Sequence, residues 1–168
     1  MKLLTVAIPC YNSSEYMDKS IRSAISGGDR VEVVVVDDGS SDNTLEIANK
    51  YQKKFPDIVK VVHQENGGHG EAVNTGIKNA TGLYFKVLDS DDCLGKNALQ
   101  KVLDLLEDMV SKDAGLDMLI SNFMYDKQGA KHKKIMKYKS AMPVGRMFGW
   151  DELHFGTSQY LLMHSVIY

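Results

Sequence analysis

The sequence predicts an α/β fold: a mostly parallel central sheet with helices on both faces. Strand-like and helix-like segments alternate through the first two-thirds of the 168 residues. The strand candidates are continuous apolar, β-branched runs, as strands buried on both faces require. A βαβα rhythm of this kind lays helices over a parallel sheet. Three short polar segments also fall just after strand candidates, at the carboxyl end of the sheet where ligands of such folds bind.

Leu3–Ile8 is the first strand. Glu15–Ser26 follows as a helix with Met17, Ile21, Ala24 and Ile25 on one stripe, ended by Gly27 and Gly28. Val31–Val36 is the second strand, valine throughout apart from Glu32. Asn43 and Glu46 have capping-box spacing and open a helix whose buried side carries Leu45, Ala48, Tyr51 and Phe55, and Pro56 stops it. Ile58–Val62 is the third strand, and Gly67–Gly70 leads into a helix from Glu71 to Ala80. Leu83–Leu88 is the fourth strand, and Lys96–Val110 is a helix with Leu99, Val102, Leu103, Leu106, Met109 and Val110 in phase. From Leu116 the alternation fails. Met118–Met124 and Lys133–Tyr138 read as neighbouring strands, Trp150–Phe155 as a short helix and Leu161–Tyr168 as a last strand. The chain stops inside that apolar run, as a piece of a longer protein would.

A hydrophobic fraction of 43% and a charged fraction of 25% are ordinary globular values and fit one structural domain. Twenty Lys and Arg against 22 Asp and Glu give a net charge of −2, which excludes a general nucleic-acid binder. Any polyanionic ligand must therefore be held locally or through a metal ion. The cysteines, Cys10 and Cys93, cannot form a disulfide framework and read as free thiols in a reducing compartment. The N-terminus is not a secretory signal, and no apolar run approaches the ~18 residues of a membrane span. These features predict a soluble, cytoplasmic protein without a transmembrane segment.

Asp89, Asp91 and Asp92 put three carboxylates in four residues after the fourth strand. Such acids suit Mg²⁺ or Mn²⁺, which take one or two carboxylates and fill their shell with phosphate oxygens and water. The competing reading is a polar loop capping the next helix. Asp37 and Asp38, followed by Gly39 and Ser40, can accept hydrogen bonds from ribose hydroxyls or a base N–H, or simply form a turn. Asn66, Gly67 and the glycines after them can offer backbone N–H groups to a phosphate at a helix N-terminus. Gly68 and Gly70, with Asp89 about 20 positions on, also fit part of a dinucleotide fingerprint, which keeps an NAD-dependent oxidoreductase as an alternative. The six lysines and His132 within Lys127–Lys139 read as a solvated hairpin, or as a contact with an anionic acceptor or membrane surface.

Four segments together, Thr5–Asn12, Val33–Thr44, Gln64–Gly76 and Leu88–Asp92, resemble the family 2 glycosyltransferases, inverting enzymes of the Rossmann-like GT-A fold. The resemblance is strong over residues 1–110 and loose beyond. It implies a nucleotide-sugar-binding half over residues 1–110 and the start of an acceptor-side half over 111–168. Pro9 and Tyr11 would line the nucleotide pocket, with Asn66, Gly67 and Ser90 beside it, Asp38 reading the base and Asp37 supporting that loop. Asp89 and Asp91 would be the D-x-D pair, with Asp91 a direct ligand of Mn²⁺ or Mg²⁺ and Asp89 nearer the ribose. The implied reaction transfers a sugar, with inversion, from a UDP-sugar to a saccharide or lipid-linked acceptor. The implied location is the cytoplasm or the inner face of the membrane. Family members often carry arginine where this chain has Val73. Their catalytic base lies about a hundred positions past the D-x-D pair, and Asp151 and Glu152 come too early to be it. A nucleotide-binding or interaction module without transfer activity is the other reading.

Overall fold

The computed structural model describes residues 1–125, 134–157 and 159–168. They divide into two compact units, Met1–Gly115 and Leu116–Tyr168. In the first, four strands form one parallel sheet: β1 (Leu4–Cys10), β2 (Val31–Asp38), β3 (Val59–Gln64) and β4 (Tyr84–Val87), in the order β3-β2-β1-β4. Every residue of β1, β2 and β4 is buried, as their unbroken apolar runs require, whereas the edge strand β3 has a mixed pattern.

The helices are α1 (Met17–Ile25), α2 (Thr44–Lys54), α3 (His69–Lys78) and α4 (Lys96–Ser111). Side chains alternate between the faces of a strand, and this alternation assigns helices to faces. A Cβ on Gly76 of α3 would lie 2.7 Å from Ala7 Cβ and 4.0 Å from Val36, so α3 packs on the face of the even-numbered β2 residues. A Cβ on Gly27 would lie 2.4 Å from Val31 and 3.2 Å from Leu103, so α4 packs on the opposite face. Both faces of the sheet are thus covered. Leu99, Leu103 and Leu106 are the buried stripe of α4, while Val110, expected on it, is exposed in the last turn.

Several boundaries move, for local reasons. β2 runs on through Asp37 and Asp38, because His63 and Gln64 of β3 pair with them in register. The Asn43–Glu46 capping box does not form. Asp42 takes the capping role by accepting from the Thr44 N–H at 2.9 Å, and Glu46 pairs with Lys50 instead. α3 starts two residues early, at His69, because Gly68 (φ 83°) turns the chain directly into the helix.

At the amino end of the sheet the buried Glu32 is satisfied by Thr5 Oγ1, the Thr81 N–H and Thr81 Oγ1 at 2.8–3.0 Å. A buried charge costs several kcal/mol unless partnered in this way. This network is structural and lies at the other end of the strands from the polar loops.

The second unit is built on short pieces. β5 (Leu119–Ile120) pairs antiparallel with β8 (Val166–Ile167), and β6 (Phe123–Tyr125) with β7 (Lys134–Met136). The long strands expected over 118–124 and 161–168 are therefore interrupted, the latter by a 3₁₀ turn at Met163–Ser165. The expected helix at Trp150–Phe155 is one 3₁₀ turn, Trp150–Glu152. Met136, Tyr138, Ala141 and Met142 form its core, and the Tyr138 hydroxyl lies 3.1 Å from the Tyr160 carbonyl and 3.0 Å from Ser165 Oγ. Most of the lysine-rich run, including His132, lies outside the described residues. Among the described residues, no helix is long and apolar enough to cross a membrane.

Candidate functional site

Strand order puts the carboxyl end of β1 between those of β2 and β4. The polar loops that leave these ends are therefore neighbours, and side chains stitch them together. The Asn12 N–H donates to Ser40 Oγ at 3.0 Å, and the Ser41 N–H to Asn12 Oδ1 at 2.8 Å. The Ser13 N–H donates to Thr44 Oγ1 at 2.7 Å, and Ser13 Oγ lies 2.9 Å from Ser90 Oγ. Ser20 of α1 donates to the Asp89 carbonyl at 3.3 Å. Burial alone would raise the Asp42 carboxyl, but hydrogen bonds from Thr44 and Ser14 outweigh it and hold it far below the usual range. The outcome is one continuous rim over the three strand ends.

Alternation sends the adjacent acids of β2 to opposite faces. Asp37 is fully buried, its Oδ2 2.7 Å from His63 Nδ1. Asp38, 2% exposed, clamps the glycine-rich turn. Its Oδ1 accepts from Gln64 Nε2 at 2.7 Å and the Gly67 N–H at 2.9 Å, and its Oδ2 from the Gly68 N–H at 2.9 Å. Two of the backbone donors expected to face a phosphate are thus spent on Asp38. Both acids are compensated by protein groups, so their burial needs no ion. Gly39 (φ 69°) lets this turn close, since a Cβ there would lie 2.8 Å from the Asn66 nitrogen.

Pro9 is buried in β1, and Tyr11 stands 54% exposed beside it. Asn66 and Gly67 are exposed on the rim. Asp89 is partly buried, and Asp91 and Asp92 are exposed. Carboxylate oxygens of Asp89 and Asp92 come within 4.8 Å of one another. These hard oxygen donors fit Mg²⁺ or Mn²⁺ and suit Zn²⁺ poorly.

Sequence reasoning passed over Lys86, a buried cation in β4. Burial outweighs the charges of Asp92 and Asp89, which act to raise its ammonium, and leaves it lowered to about 8. The available signal was a charge at an interior position of a short buried strand. Cys10 is no nucleophile: burial first, then the charge of Asp37, pushes its thiol up to about 12. Cys93 is exposed. We therefore expect a thiol reagent at pH 8 to label one cysteine in the native protein and two after denaturation; rapid labelling of both natively would contradict the burial of Cys10. In the second unit Glu152 is bound to Arg146, and that hydrogen bond holds its carboxyl below the usual range, which makes it a poor base.

The model of the family described as Glycosyl transferase family 2 matches residues 5–164. This chain belongs to that family. Its fold is the GT-A fold of family 2 enzymes. An uncharacterized glycosyltransferase of Rickettsia felis is 34% identical over 86% of this family 2 chain. The structure of S. aureus TarS 1-349 in complex with UDP-GlcNAc is similar with a TM-score of 0.64 and 32% identity over 81% of the chain. The mannosyltransferase PcManGT from Pyrobaculum calidifontis, in complex with GDP-Man and Mn²⁺, has a TM-score of 0.55 and 26% identity over 63% of the chain. The family 2 chain spans 23% of the Rickettsia protein, 38% of the TarS chain and 32% of PcManGT.

Proposed function

We propose that this chain is the donor-binding part of a glycosyltransferase that passes a sugar, with inversion, from a UDP-sugar to an acceptor hydroxyl with the help of Mn²⁺ or Mg²⁺. The observation that carries the reading is the single rim built from the loops after β1, β2 and β4, with an exposed aromatic, Tyr11, in its central loop and acids in the neighbouring loop after β4. The nucleotide-sugar complexes of TarS and PcManGT support it, and the Mn²⁺ of the latter supports the cation.

In this reading Tyr11 offers its exposed ring to the base, with Pro9 behind it. A carboxylate has about four acceptor sites, and Asp38 uses three on the protein. The remaining site, on Oδ2, suits one base N–H. Asn66 and Ser90 flank the sugar and diphosphate. Asp89 and Asp91 hold the cation, which when bound would neutralise charge on the diphosphate leaving group. A general base must deprotonate the acceptor hydroxyl; neither Asp151 nor Glu152 is assigned that role, and we assign it to a segment outside residues 1–168. The acceptor is a saccharide or a lipid-linked acceptor, and the protein works in the cytoplasm or against the inner face of the membrane.

Thermal-shift measurements test the donor assignment. UDP or UDP-GlcNAc with Mn²⁺ should raise the melting temperature, and NADH should not. Protection by NADH alone would replace this reading with a dinucleotide-dependent one. Transfer assays on this chain and on a C-terminally extended version test the base: turnover should require the extension, and equal turnover by both would refute that assignment.

A further inference from the structure

His69 is the one side chain longer than a hydrogen in Gly67-Gly68-His69-Gly70. Gly68 needs to be glycine for its positive φ (83°), but a Cβ on Gly70 would meet nothing within 4 Å. The loop is therefore kept clear on both sides of the imidazole. That imidazole is held from two directions. Behind it, the buried Asp38 clamps the Gly67 and Gly68 N–H groups; ahead of it, α3 is seated on β1 through Gly76. From this anchorage the ring crosses to the loop after β4, where His69 Nε2 lies 3.1 Å from Asp89 Oδ1. A carboxylate only accepts, so Nε2 carries the proton in this contact.

With the His69 side chain 56% exposed, this bond contributes little to stability. What it does is hold one oxygen of Asp89 from a second loop and so restrict rotation of the carboxylate. Metal-binding carboxylates are oriented by such outer hydrogen bonds, whose loss typically costs 10–100-fold in metal affinity. We infer that His69 is a positioning residue that orients Asp89 toward the divalent cation of the nucleotide diphosphate complex. The inference rests on the donor-site reading above and adds to it a residue on a different loop from the acids.

The test is Mn²⁺ affinity in the presence of UDP, measured by calorimetry on the full chain and on His69→Ala and His69→Gln. His69→Ala should bind Mn²⁺ about 10–100-fold more weakly, with its melting temperature and its metal-free UDP affinity unchanged. His69→Gln, whose amide N–H can replace Nε2–H, should recover most of the loss. Affinity within twofold of the unaltered chain in His69→Ala would overturn the inference. So would a His69→Gln no better than His69→Ala, since the imidazole would then act as a ligand itself. Failure of the unaltered chain to bind UDP with Mn²⁺ would bring down the donor-site reading as well, so the two failures are distinguishable.

Discussion

Asp38→Ala should lower stability by about 2–3 kcal/mol, the cost of stranding the partners of a buried charged acceptor. Three donors lose their acceptor together: Gln64 Nε2 and the Gly67 and Gly68 N–H groups. Gly67 and Gly68 are exposed, so water repairs part of the damage and keeps the cost below that of a fully buried site. For a chain of this length the melting temperature should fall by about 5–10 °C. The same change should release the turn that opens α3 and abolish protection by UDP. Asp38→Asn is the sharper variant, since its amide nitrogen would face the Gly68 N–H donor to donor. A melting temperature within about 1 °C of the unaltered chain would mean that Asp38 does not hold the turn.

Asp89→Ala and Asp91→Ala should leave the fold intact and remove the Mn²⁺-dependent part of nucleotide binding. Asp91 is exposed and Asp89 only partly buried, and the Asp89 carbonyl that Ser20 uses survives the change. If UDP with Mn²⁺ is supplied at about a hundred times its dissociation constant, a hundredfold loss of affinity removes about 2 kcal/mol of ligand-induced stabilisation. In a thermal scan the Mn²⁺ increment should disappear while the melting temperature without ligand stays put. Undiminished protection in Asp89→Ala would mean that the ion binds elsewhere.

The parts of this architecture that follow from local pattern were legible in the sequence. Val33–Val36 can only be an interior strand, Leu99, Leu103 and Leu106 can only be one face of a helix, and the polar segments at Tyr11, Asp37 and Asp89 announce strand ends. What joins those ends was not legible, because it is non-local. The Ser13–Ser90 contact spans 77 residues, and the Asp38–Gly68 bond 30. No periodicity reports such pairings; they follow from the order β3-β2-β1-β4. Lys86 was hidden for a related reason, since its burial comes from packing around the edge strand β4 and not from the local pattern. The acids of β2 were read as acceptors for a ribose or a base, or as a turn, whereas much of their acceptor capacity goes to His63, Gln64 and two glycine N–H groups. Beyond Leu116 the strands are two or three residues long, too short for alternation to mark them.

A donor site at these strand ends needs both the outer acids and the rim that carries them. A crystal soaked with UDP and MnCl₂, with data collected for the anomalous signal of manganese, examines both at once. The expected map has a manganese peak within coordination distance of an Asp89 or Asp91 oxygen, the uracil against Tyr11 and the diphosphate between them. A nucleotide seated away from the ends of β1, β2 and β4, or a rim without manganese beside a bound UDP, would contradict it.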